Sequence, residues 1–151
     1  MARGRFAAES AVRYLRASGD LFGQLIRTAL LRQTPLTETC TAYEVRDVMS
    51  NESGLATVFG AFDAFLGSQA YVFVADATNR MKHRDWMPFQ QWGRVVDSGQ
   101  FVSGSAVGPF RHGKRSHQEA DLEGLRDYAT VLLDLGAQLM RETIAVSTPG
   151  P

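Results

Sequence analysis

Two long stretches, one at each end of the chain, space their apolar residues alternately three and four apart, and that period commits both to amphipathic helix. In residues 5–32 the stripe runs Ala8, Ala11, Leu15, Ser18, Phe22, Leu25 and Ala29, with Glu9, Arg13, Arg16, Asp20, Gln24 and Arg27 opposite. After Ser116 a second stripe follows, Leu122, Leu125, Ala129, Leu132, Gly136 and Leu139, opposed by Glu123, Asp127, Thr130, Asp134 and Gln138. Helices of this kind draw most of their stability from packing one face against something else. The middle of the chain must therefore supply a core that two framing helices cover.

Within the first helix, Ser18-Gly19-Asp20 marks a candidate break, because Gly is a poor interior residue and Asp a good N-cap. Gly19 and Gly23 also form a G-x-x-x-G, which implies close packing against another helix. Thr34-Pro35 ends the helix. The run LTETCTAYEVRDV (36–48) is rich in Thr, Tyr and Val and is predicted to be a strand holding Cys40 as a small buried residue. Ser50 to Gly54 is turn chemistry, and Leu55, Val58, Phe59, Phe62, Phe65 and Leu66 predict a buried helix closed by Gly67-Ser68. The run AYVFVADAT (70–78) reads as a strand.

Residues 78–92 are expected to be irregular or a short helix broken at Pro88, and RVVDSGQFVSGSAV a hairpin turning at Asp97-Ser98-Gly99. Ser116 and Glu119 have the spacing of a capping box and predict the start of the last helix. The expectation is an α+β fold in the order α-β-α-β-β-β-α. A small, mostly antiparallel sheet of about four strands is framed by the long terminal helices. Residues 1–145 form one domain and residues 146–151 a frayed tail.

Composition narrows the class. At 44% apolar and 21% charged, the chain has globular values, with no low-complexity segment. One cysteine excludes an internal disulfide framework and a CxxC-type zinc site. No run of apolar residues is long enough to span a membrane. The arginine-rich beginning superficially suits a transit peptide, but with Met1 in place the expected location is cytoplasmic.

The net charge of zero hides a sorted distribution. Residues 1–33 carry +4, residues 34–75 carry −4, residues 76–117 carry +4 and residues 118–151 carry −4. Basic and acidic helices so sorted can face each other within a chain or across a symmetric dimer, and an uncovered basic block attracts an anion.

All three histidines fall in two basic clusters of the third block. The first holds Arg80, Lys82, His83 and Arg84, followed by Trp86 and Trp92; the second holds Phe110, Arg111, His112, Lys114, Arg115 and His117. Cations for a phosphate backbone, interleaved with ring faces for bases, are what a single-stranded nucleic acid site needs. Gly108 to Lys114 fits G-x-x-x-x-G-K, but Arg115 stands where a P-loop places Ser or Thr, so the match is coincidence. His112 and His117 sit among cations that repel a metal ion, and no cofactor is expected.

Asp76, His83, Asp85 and His112 are the residues able to do acid–base chemistry, although no nucleophile motif accompanies them. The leading expectation is a non-enzymatic binding or adaptor protein. It self-associates as a homo-oligomer, a dimer, through its terminal helices, and contacts nucleic acid or an acidic protein surface through loops 80–84 and 111–117. The alternative is a small enzyme acting on a phosphorylated or anionic substrate with His83 or His112 as proton shuttle.

Overall fold

A computed structural model describes residues 2–32, 36, 40–82 and 88–148, the side chains of residues 2–4, 92 and 94 excepted. The fold is α+β, with a small antiparallel sheet and long N- and C-terminal helices, as expected. In chain order it runs α1 (Ala2–Leu30), α2 (Ala42–Met49), a 3-10 turn (Ser53–Leu55), α3 (Ala56–Gly67) and α4 (Gln69–Lys82). Then follow β1 (Phe89–Val95), β2 (Phe101–Val107), β3 (Phe110–His112), β4 (Arg115–His117), β5 (Ala120–Asp121) and α5 (Leu122–Ser147).

The first helix is unbroken. Ser18-Gly19-Asp20 lies within it, and its buried line is Ala8, Val12, Gly19, Gly23 and Ile26 rather than the whole predicted stripe. Both glycines are where other helices come closest. A Cβ on Gly19 would overlap the hydroxyl and ring of Tyr71, and one on Gly23 would lie 3.1 Å from the Ala42 Cα. The G-x-x-x-G thus seats α4 and α2 against α1.

Two segments predicted as strands are helices. The run at 36–48 yields α2, which begins with a full capping box: Thr41 Oγ1 accepts from the Glu44 amide, and Glu44 accepts from the Thr41 amide. Cys40 is buried just before it, outside any strand, and residues 37–39 lie outside the described residues. The run at 70–78 is the middle of α4. Ser68 caps its start, with Oγ accepting from the Tyr71 amide and the carbonyl from the Val72 amide. From Ala70 to Thr78 only Val72 is not fully buried. A helix enclosed nearly all round needs no polar face, so it carries the unbroken apolar run that also describes a buried strand.

Helix α3 lies as expected. It packs Val58, Phe62, Phe65 and Leu66 into the same core as Tyr71, Phe73 and Val74 of α4. Among the described residues no single helix is long and apolar enough to cross a membrane. The hairpin turns where it was expected, at Asp97 to Gly99, but its first strand is longer: β1 pairs antiparallel with β2 from Phe89↔Val107 to Val95↔Phe101 and so takes in residues 89–92, expected to be irregular or helical. A two-residue pairing adds β5 to the far edge of β2. The last helix starts later than its predicted capping box. Ser116 is paired with Arg111 in the β3–β4 ladder, and the actual N-cap is Asp121, whose carboxylate accepts from the Gly124 amide at 2.8 Å.

Candidate functional site

The second basic cluster is a short β-hairpin, β3–β4, and its register decides which way each side chain points. Phe110 pairs with His117, Arg111 with Ser116 and His112 with Arg115. Cross-strand partners share a face and neighbours along a strand alternate. Phe110, His112, Arg115 and His117 therefore lie on one face, and Arg111 and Ser116 on the other. Gly113 makes the turn at φ 57°, a left-handed conformation that glycine adopts without strain.

The first face lies on α4, where Phe73, Asp76 and Arg80 are spaced three and four apart and so occupy one side of that helix. Phe73 meets the rings of Phe110 and His117 edge-on, at 5.3 and 5.6 Å between centroids, and Phe110 stacks on His117 at 4.6 Å. Beside this aromatic anchor lies Asp76, only 2% exposed. Arg115 grips it with both arms, Nε to Oδ2 at 2.7 Å and Nη2 to Oδ1 at 2.7 Å. His117 Nε2 lies 2.8 Å from Oδ2, and His112 Nε2 lies 4.0 Å from Oδ1.

Burial alone would push the Asp76 carboxyl up. The hydrogen bonds from Arg115 and His117 and the positive charge of Arg115 more than offset this, so the group sits below its usual range. The same pairing holds the Arg115 guanidinium above its ordinary value. An ionised carboxylate only accepts, so His117 must carry its proton on Nε2 and donate it. Arg80 completes the joint: its Nη1 donates to the Arg111 carbonyl at 2.9 Å, while its buried Nε has no hydrogen-bond partner among the described residues.

The predicted residues thus divide. Phe110 is a buried anchor and His117, its side chain 9% exposed, packs beside it, so the Phe110 ring is closed to a stacking base. Arg115 is anchored at its inner edge yet has 60% of its side chain exposed, and His112 is partly exposed beside it. Arg111 and Lys114 are exposed, and neither side chain has an ion-pair partner among the described residues. Arg80 and Lys82 form the last turn of α4, where cations suit the negative end of the helix dipole. His83, Arg84 and Trp86 lie outside the described residues, as does the Trp92 side chain. The near-P-loop is this hairpin, with Gly113-Lys114 at its tip instead of a helix N-terminus.

Asp76 is the residue whose role the sequence did not reveal. The available signal was Phe73, Asp76 and Arg80 on one helical face, and reading 70–78 as a strand concealed it. The larger grooves open elsewhere. One of about 760 Å³ runs beside β2 and the start of α5, lined by Glu119, Asp121, Glu123, Asp127 and Tyr128 among others. No group of three or more His, Cys, Asp or Glu able to hold a metal ion occurs among the described residues. Comparison with protein-family models, curated proteins and solved structures finds no match for the chain.

Proposed function

We propose that this is a non-enzymatic binding protein that associates with itself through its terminal helices and holds an anionic partner on the β3–β4 hairpin. One observation carries the reading: Asp76 neutralises Arg115 at the inner face of the hairpin and leaves Arg111 and Lys114 uncompensated. Pinning cations on a rigid support keeps them together without the entropy cost of collecting mobile side chains. Because the Phe110 ring is buried and the His117 ring is packed against it, the surface senses charge more than bases. A nucleic acid backbone, contacted without regard to sequence, suits it best.

Fluorescence anisotropy with labelled RNA and DNA at low and physiological salt tests this. Two phosphate contacts on a duplex, from Arg111 and Lys114, give a log–log salt slope of about −2. R111E/K114E should abolish binding with the melting temperature unchanged, since neither side chain holds the fold. Arg115 is left intact, because reversing it would also unpin Asp76. Absence of binding by the wild type at low salt overturns the nucleic acid reading and turns attention to acidic proteins.

A second reading draws on the 4.0 Å approach of His112 to Asp76, which gives an anion-processing enzyme a proton shuttle beside cations. Both Asp76 oxygens are already engaged by Arg115 and His117, so His112 would work without a free carboxylate base. Phosphoester turnover that disappears in H112A while binding persists would favour it.

A further inference from the structure

Helices α1 and α5 run side by side in the same direction. Ala11, Tyr14 and Leu15 share a groove with Leu122, Leu125 and Ala129, and further along Phe22 packs on Gly136. On the outer lip of that groove, α1 presents Ala7, Ala11, Tyr14, Ser18, Leu21 and Leu25, spaced alternately four and three apart with no charge among them. On the other lip α5 presents Leu122, Ala129, Leu133, Ala137, Met140 and Ile144, with Arg126 the one charge. These are not residues grazing the surface: Tyr14 is 78% exposed, Leu133 73% and Leu21 69%. The groove itself encloses about 300 Å³ and is almost wholly apolar.

We infer that this two-helix face is the seam of a homodimer, in which α1 of each copy lies over α5 of the other and the four helices make a bundle. The inference rests on the self-association part of the function proposed above. A face about 33 Å long, from the rise per residue over 22 residues, and about 20 Å wide for two neighbouring helices offers roughly 650 Å² per copy. Pairing two such faces buries roughly 1,300 Å², within the range of specific, stable interfaces.

Charge selects the partner and the arrangement. Between Ala2 and Leu30 the chain carries five Arg and two acids, whereas from Leu122 to Ser147 it carries two Arg and four acids. Arg13, exposed at the edge of the α1 lip, has no partner among the described residues; Glu123, Asp127 and Asp134 flank the α5 lip. A two-fold axis along the groove brings Arg13 opposite Glu123 and Asp127 of the second copy and Tyr14 over its Ala129. Placing α5 on α5 instead would oppose two acidic edges.

Sedimentation equilibrium gives the first test. The wild type at tens of micromolar should weigh twice its 16.6 kDa, and L21E/L133E should weigh 16.6 kDa with unchanged circular dichroism and a cooperative melt that no longer depends on concentration. F101E, an equally exposed apolar residue on β2, should leave the dimer intact. A mixture of Y14C and A129C chains should form the mixed disulfide in preference to either symmetric one. A monomeric wild type overturns both the seam and self-association, including the case of a monomer that uses the strip to bind lipid vesicles. A dimer that survives L21E/L133E, or that links Y14C to itself, overturns the seam alone.

Discussion

Replacing Asp76 by Asn tests whether a buried charge holds the basic hairpin in place. The amide keeps the volume of the carboxyl and one acceptor, but turns the other oxygen into a donor facing Arg115 or His117, which are themselves donors. Arg115 is 60% exposed, so water recovers most of what it loses, about 1 kcal/mol. His117 is only 9% exposed, and the mismatch at its buried Nε2–H costs about 2 kcal/mol. Relief from burying a carboxylate returns about 1 kcal/mol, leaving a net loss of about 2 kcal/mol at neutral pH. For a chain of this size that lowers the melting temperature by about 4–8 °C.

Acid supplies the sharper readout of the same substitution. The folded carboxyl titrates below its ordinary value of 3.8, so its stabilisation is complete above that value and drains away as pH falls through the lower folded pKa. D76N has no such group. The stability gap between wild type and D76N, followed by urea unfolding, should therefore be full at neutral pH and close in strong acid. A gap that is absent at neutral pH, or constant across the range, would refute the ionised anchor. D76N should also weaken nucleic acid binding less than R111E/K114E does, because it removes the support and not the contacts.

The same Gly→Ala change should have opposite signs at two helical positions. At Gly19 the new methyl has no room beside Tyr71, whose hydroxyl accepts from Arg16 at 2.6 Å; overpacking and loss of that bond outweigh the gain in helix propensity, for a net cost of about 3 kcal/mol by thermal denaturation. At Gly60 on α3 nothing lies within 4 Å, so G60A should stabilise by about 0.5–1 kcal/mol. G108A should cost about 2 kcal/mol, because φ is +101° and a Cβ would lie 3.1 Å from the Gln118 carbonyl oxygen. It should also reduce anion affinity by disturbing the chain just before the hairpin; unchanged stability would remove the constraint.

What the sequence discloses depends on how much of an element's surroundings its own residues record. The terminal helices were legible because each has a wet side, and the β1–β2 hairpin because Asp97-Ser98-Gly99 interrupts two β-prone runs. Helix α4 was not, since a segment buried nearly all round loses the polar face from which period is read. For α2 the β-branched and aromatic residues outweighed the T-x-x-E at Thr41–Glu44, which was the better signal. The same spacing misled at Ser116–Glu119, where strand pairing uses Ser116 first. In the candidate site the cations of the hairpin were legible as a cluster, but their division into anchors and free charges was not. That division needs the strand register and a carboxylate some forty residues away, and neither leaves a local trace.

One discrepancy in the terminal helices is informative about function. The predicted α1 stripe included Ala11, Ser18 and Leu25, yet beside Ala8 the core takes Val12, Gly19, Gly23 and Ile26; on α5 the predicted Leu125, Leu132, Gly136 and Leu139 are buried, while Leu122 and Ala129 of the same stripe are not. On α1 the apolar spacing passes over Gly19 and Gly23, although their G-x-x-x-G marks a close approach, so the true buried line sits to one side of the predicted one. The apolar arc on each helix is consequently wider than the monomer's core uses. Most of the surplus, Tyr14, Leu21 and Leu25 on α1 and Leu122, Leu133 and Ile144 on α5, lies on the lips of the shared α1–α5 groove, with Phe6, Val131 and Val146 elsewhere on the two helices. Scattered surplus would be ordinary surface composition. Surplus aligned on two neighbouring helices, with charge displaced to its edges, is what a helix pair needs when its second layer comes from another copy of the chain.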